Sequence, residues 1–303
     1  MSDTRAGFVA LIGEPNAGKS TLTNAMVGAK VSIVTHKVQT TRARIRGVAM
    51  EGASQLVFVD TPGLFRPRRH LDRAMVAAAW SGAADADVVV LLVEAHRGLT
   101  DGVQAILDAL KQRANPDQRV ALAINKIDRV QRDVLLALTA ELNDAHPFVE
   151  TFMISAEKGY GVADLRAWLA GEVPVGPWLY PEDQIADLPL RMIAAEITRE
   201  KLTLRLHQEL PYQLTVETEG WEERKDGSVR IDQIIYVARD GHKGIALGPK
   251  GQTIKAISTA AREEISEFLD RKAHLFLQVK VRPNWLEEPE RYSEMGLDFR
   301  AGS

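Results

Sequence analysis

Through the first 170 residues, short and almost wholly apolar runs alternate with stretches whose apolar positions recur every three or four residues. The runs at 7–12, 55–59, 87–93, 119–124 and 151–154 predict strands, and the stretches at 75–81, 102–113 and 133–143 predict helices. Strands this apolar are covered on both faces, so the alternation predicts an α/β fold with an open, mostly parallel sheet. Near Ala170 the alternation stops. Residues 171–187 carry Pro174, Pro177 and Pro181, with Pro189 just beyond, and show no periodicity. A second pattern follows: a long amphipathic helix (190–208), a strand (212–218), a polar turn at Asp226-Gly227, a strand (229–238), a short helix, a glycine-bearing turn, a longer helix (252–269) and a last strand (273–281). This predicts a smaller α+β domain. The expected division is 1–173, a linker at 174–188, and 189–303.

Composition narrows the classes. The chain has 303 residues, 45% apolar and 26% charged, enough material for two cored domains. Its longest apolar run is the seven residues 74–80, against roughly 20 needed to cross a bilayer. No signal-peptide architecture precedes the first strand, and the expectation is a cytoplasmic, monomeric protein. There is no cysteine, which excludes disulfides, thiolate metal sites and cysteine nucleophiles. The formal net charge of −3 excludes a globally basic nucleic-acid binder, so such a role needs a local patch. One exists: residues 239–282 hold nine basic and five acidic residues, followed by 287–298 with five acidic residues and one arginine. Charge alone reads equally as two solvated faces, or as a binding surface with an acidic tail.

The first strand leads into Gly13-Glu14-Pro15-Asn16-Ala17-Gly18-Lys19-Ser20-Thr21, a glycine-rich turn opening a helix. Such a turn curls backbone N–H groups around phosphate oxygens, with Lys19 reaching the β- and γ-phosphates and the Ser20 hydroxyl ligating Mg²⁺. Asp60-Thr-Pro-Gly63 follows 41 residues after Lys19, at the end of an apolar strand. Its carboxylate suits the Mg²⁺ shell, and the Gly63 amide suits a γ-phosphate. Asn125-Lys126-Ile127-Asp128 follows another strand. The Asp128 carboxylate can accept from the guanine N1–H and 2-amino group, donors that adenine lacks, which argues against an ATPase or kinase. Lys126 can lie along the base, Asn125 can tie this loop to the glycine-rich turn, and Ser155-Ala156 can offer an amide to the guanine oxygen. Between the first helix and Asp60, residues 31–46 contain Gln39-Thr40-Thr41-Arg42. A threonine completing the Mg²⁺ and γ-phosphate shell belongs here, with Thr41 preferred and Thr40 second. Lys19, Thr41, Asp60 and Gly63 are the candidate catalytic residues, and Ser20, Thr41 and Asp60 the candidate metal ligands, for Mg²⁺-dependent conversion of GTP to GDP.

The combination of residues 13–24 with Gln39-Thr40-Thr41-Arg42 resembles the Era family of bacterial GTPases, and the likeness covers about residues 7–285. Residue 64 is leucine, where Ras-like enzymes place the glutamine that orients the attacking water, so slow intrinsic turnover is expected. In related GTPases an asparagine at the position of Asn16 is linked to a K⁺ ion. The segment Gly248-Pro249-Lys250-Gly251 resembles the GxxG loop of a KH domain, and its flanking order resembles the type II arrangement. A GxxG loop lets a sugar–phosphate backbone approach closely; Lys255, Lys280, Arg282 and Trp285 are further candidate RNA contacts, with ordinary packing an even alternative for Trp285. The resemblance implies binding of the 3′ end of small-subunit rRNA, with GTP timing a step in 30S maturation. The alternative output is protein docking or peripheral association with the inner membrane.

Overall fold

The computed structural model describes residues 4–35, 37, 45–67, 69–113, 118–187, 189–207, 210–283, 285–289, 292, 295 and 297–302. The chain divides into two compact units. The first holds Met1–Ser32, Thr41–Asp187 and Glu294–Ser303; the second holds Ile33–Thr40 and Leu188–Ser293.

The first unit is built on a six-stranded sheet. Its elements run β1 (Arg5–Gly13), α1 (Lys19–Val27), β2 (Ile45–Glu51), β3 (Ser54–Asp60), α2 (His70–Ala84), β4 (Val88–Glu94), α3 (Asp101–Gln112), β5 (Arg119–Asn125), α4 (Arg132–Ala145), β6 (Thr151–Met153) and α5 (Val162–Glu172). The strand order is β2-β3-β1-β4-β5-β6, parallel throughout except for the β2–β3 pair. Residues of alternate parity along β4 enter two different cores. Val89, Leu91 and Val93 join Ile106, Leu107 and Leu142 on one face, while Val88, Val90 and Leu92 join Leu22, Met26 and Leu165 on the other. This double burial is why the strand reads as an unbroken apolar run. Because β1, β3, β4 and β5 run parallel, their last residues, Gly13, Asp60, Glu94 and Asn125, all come out at one end of the sheet. Ligands of open α/β sheets bind at that end.

The expected linker is not free chain. Its residues 174–187 run along the first unit: Ala6 N–H donates to the Pro174 carbonyl (3.1 Å), Val48 N–H to Ile185 (2.9 Å) and Asp187 N–H to Arg46 (2.9 Å). Gln55, fully buried on β3, accepts from the amides of Leu179 (2.8 Å) and Tyr180 (2.9 Å) and donates to the Tyr180 carbonyl (2.8 Å). The last ten residues depart from expectation as well. Residues 294–303 group with the first unit rather than the second, and Phe299 meets the His70 ring of α2 with centroids 4.5 Å apart.

The second unit runs α6 (Leu190–Arg205), β7 (Leu214–Glu223), β8 (Val229–Val237), α7 (Asp240–Leu247), α8 (Gln252–Phe268) and β9 (Ala273–Val281). β7 and β8 are antiparallel, β8 and β9 parallel. The order α-β-β-α-α-β agrees with the type II arrangement expected from the sequence. The helices cover one sheet face through Leu202, Ile235, Ile257, Val279 and their neighbours. Part of the stretch after Ser32 also belongs here: Val34 N–H donates to Glu200 Oε1 of α6 (2.8 Å), and the Lys37 ammonium donates to the carbonyls of Thr203 and Leu206.

Gln55→Ala strands the Leu179 and Tyr180 amides and the Tyr180 carbonyl of residues 174–187, which form a strap on this unit. It should destabilise the first unit by about 2–3 kcal/mol, read as a lower midpoint in chemical denaturation of the full chain.

Candidate functional site

The glycine-rich turn joins β1 to α1. Gly18 caps α1 in the left-handed region (φ 100°) with no side-chain cap, so the first helical N–H groups are left to an external anion. A Cβ on Gly18 would fall 2.2 Å from Asn125 Nδ2, so only glycine lets the two loops close. Asn16 also adopts positive φ (68°), a conformation asparagine tolerates. Lys19 is buried, its ammonium donating to the carbonyls of Gly13 (3.1 Å) and Glu14 (2.9 Å). Burial pulls its pKa down from 10.5 to about 8, against the opposing pull of Asp60, Glu14 and Glu94.

Ser20 Oγ donates to Asp60 Oδ2 at 2.8 Å. Asp60 is fully buried at the end of β3, so the two candidate metal ligands are together, as hard oxygen donors of the type Mg²⁺ takes. Gly63 lies against the glycine-rich turn, where a Cβ would sit 2.8 Å from Pro15 Cα. Leu64 donates its N–H to the Gly13 carbonyl (2.9 Å) and buries its side chain in the core. It presents no polar group to a water. Gln39, Thr40, Thr41 and Arg42 lie outside the described residues.

Asn125 joins three loops. Its amide donates to Ala17 O (2.8 Å), and its oxygen accepts from Lys126 N–H (2.8 Å) and Ala156 N–H (3.0 Å). Lys126, at φ 63°, reaches Asn16 O (2.7 Å) and Glu94 Oε2 (2.6 Å). Asp128 is exposed, and a hydrogen bond from Ser155 holds its carboxyl below the usual range. The loop carrying Asp128 is thereby tied to the glycine-rich turn.

Two assignments change. Of the Ser155-Ala156 amides, one of them expected to serve the guanine oxygen, that of Ala156 donates to Asn125 Oδ1 (3.0 Å) and that of Ser155 to the Tyr160 carbonyl (2.9 Å). The Glu14 side chain turns away from the cradle, accepting from Thr100 Oγ1 (2.9 Å) at the start of α3 and lying 3.5 Å from Arg97. Sequence reasoning missed Glu94 and Ser32. Glu94 could have been found because, like Asp60, it is an acid closing an apolar strand; Ser32 carries no such signal.

In the second unit the turn 248–251 needs its first glycine. A Cβ on Gly248 (φ 71°) would meet Thr253 Oγ1 at 2.0 Å, whereas one on Gly251 (φ 75°) meets nothing within 4 Å. Gly251 opens α8 without a side-chain cap, so open space lies before the N-terminus of that helix. Pro249 leads the turn, Lys250 holds φ 51°, and Lys250, Lys255 and Lys280 are exposed. Arg282 is engaged with Glu288 (2.7 Å) and lies 5.6 Å from the Tyr236 ring centre. Trp285 is fully buried, its Nε1 donating to Gln213 O (3.4 Å). It is a packing residue, which corrects its place among the RNA contacts.

Fold and sites define a P-loop GTPase joined to a KH domain. A family model described as "50S ribosome-binding GTPase" matches residues 8–126, and a KH-domain model matches 209–286. GTPase Era of Dinoroseobacter shibae is 83% identical over 300 residues, 99% of this chain and 97% of the relative; that of Brucella suis is 61% identical over 298 residues, 98% and 95%. The chain belongs to the Era GTPase family. The crystal structure of Era with MgGDPNP and nucleotides 1506–1542 of 16S ribosomal RNA is similar, with TM-score 0.91, 36% identity and coverage of 97% of this chain and 99% of that one. A variant of Aquifex aeolicus Era bound to GDP·AlF4⁻ matches with the same figures. The protein is a GTPase.

Phosphate oxyanions require the charged form of Lys19. GDP affinity should be level below about pH 7.5 and weaken several-fold by about pH 9, measured by calorimetry. The unliganded protein responds oppositely. Between about 8 and 10.5 its unfolded state binds the extra proton, so its stability rises across that window.

Proposed function

We propose that the protein is a Mg²⁺-dependent GTP-hydrolysing switch that binds single-stranded RNA at the 3′ end of small-subunit rRNA and acts in 30S assembly in the cytoplasm. The observation that carries the reading is the pairing of two anion-receptive helix starts: α1 behind Gly18, tied to a guanine-reading acid, and α8 behind Gly251, in a basic surround. The RNA identity is supported by the 16S fragment bound to the similar Era structure.

In the first site, Lys19 and the α1 amides hold the β- and γ-phosphates, Asp128 and Lys126 hold the base, and Ser20 with Asp60 hold Mg²⁺. The chemistry this ion supplies is charge neutralisation between the phosphates. Thr41 completes the shell. With Leu64 buried, no side chain at that position aligns the attacking water, so turnover of the isolated protein is slow. A K⁺ ion beside Asn16 is the proposed source of the missing positive charge. In the second site, Lys250, Lys255 and Lys280 meet the RNA backbone while bases enter between α8 and β9.

Gly251→Asp places a carboxylate in open space before α8. It should leave GTP hydrolysis unchanged and weaken binding of an rRNA 3′-end oligonucleotide more than tenfold, read by fluorescence anisotropy; equal affinity would reduce the turn to a helix connection. Anionic vesicles displacing the oligonucleotide would favour membrane docking. Replacing Na⁺ by K⁺ should accelerate hydrolysis, and an unchanged rate removes the ion from the mechanism.

A further inference from the structure

α1 presents Ser20 and, one turn later, Asn24 on the same face. Asn24 is a clamp on the chain that leaves the helix. Its Oδ1 accepts from Val31 N–H and Ser32 N–H, both at 2.9 Å, and its Nδ2 donates to Ser32 O at 2.7 Å. Three bonds from one side chain fix the backbone of residues 31–32. That fixation delivers the Ser32 hydroxyl, on a residue 1% exposed, to Asp60 Oδ2 at 2.5 Å. The Ser20 hydroxyl reaches the same oxygen.

A carboxylate rotates about its Cβ–Cγ bond unless its oxygens are held, and each ionised oxygen offers about two lone-pair positions. Ser20 can ligate a metal through its own oxygen while its O–H still donates to Asp60. A single such bond leaves the carboxylate free to swing about it. The Ser32 bond comes from a different element and direction, so the two together fix the plane. Inside the protein, hydrogen bonds to a charged acceptor are the strong class.

We propose that Ser32, set by Asn24, is a positioning residue for Mg²⁺-dependent nucleotide binding, acting by holding the Asp60 carboxylate in the orientation the metal shell requires. The proposal rests on the assignment of Ser20 and Asp60 to Mg²⁺. It also makes the first residues after α1 part of the metal site, upstream of the threonine that ligates directly.

The test uses the full chain and a fluorescent GDP analogue, with dissociation followed across free Mg²⁺ concentrations and in EDTA. Ser32→Ala removes the donor, and Ser32→Cys replaces it by a near-isosteric group that donates weakly. Both should raise the Mg²⁺ concentration for half-maximal slowing of release about tenfold, and leave the EDTA rate within about twofold of the unsubstituted protein. Asn24→Ala should shift the Mg²⁺ dependence the same way. If the Ser32 variants change the EDTA rate as much as the Mg²⁺ rate, Ser32 is a packing residue and the proposal fails. If Ser20→Ala leaves the Mg²⁺ dependence intact, the metal assignment itself fails, a result distinct from the first. A Ser32→Cys protein with unaltered Mg²⁺ dependence overturns the donor role even if Ser32→Ala is poorly folded.

Discussion

The nucleotide site depends on one buried amide. Asn125 is 2% exposed, and its side chain is engaged with Ala17, Lys126 and Ala156. These residues belong to loops that follow β1, β5 and β6. The parallel sheet brings the loops to one end, and this side chain, together with the Lys126 ammonium on Asn16 O, sets their spacing. An apolar residue there would leave a carbonyl and two amides in the protein interior without partners. The Asp128 loop and the glycine-rich turn are therefore one object, held at a separation that the protein itself fixes.

The same economy governs the electrostatics. Lys19 is kept in a dry niche where its charge is costly, and three acids partly offset that cost. The cradle is thus poised to gain when a phosphate replaces backbone carbonyls as the partner of the ammonium. Glu94 serves twice, as part of that acidic surround and as the partner of Lys126, so one carboxylate on β4 links the lysines at the two ends of the nucleotide site.

Much of this was legible in the sequence because its signals are local. The apolar runs gave β1, β3, β4 and β5, whose burial on both faces leaves few polar positions to confuse the period, while the half-exposed β6 was marked by its apolar residues alone. The glycines at 18 and 248 announced turns that no side chain can make. What stayed hidden depends on distant partners. β2 is an antiparallel strand of mixed composition, so nothing in residues 45–51 advertises it. The prolines of 174–187 do indicate irregular chain, but whether irregular chain is tethered depends on Gln55, more than 115 residues away. Trp285 could not be sorted between surface and interior because an amphipathic ring suits both. Ser32 is invisible for a related reason: a lone serine acquires meaning only from Asn24 and Asp60 beside it.

The strap also acts on β2 itself. That strand ends the sheet order and would present a row of unused amides and carbonyls, a template for pairing with another molecule. Val48 N–H and the Arg46 carbonyl are instead taken by Ile185 and Asp187, with a bridge between Gly47 and Ala186. The proline-rich segment therefore works as a selvedge, finishing the sheet so that it does not unravel into self-association. A chain cut after residue 173 would keep every nucleotide-site residue described above and lose that finish, so the segment through Asp187 belongs with the first unit.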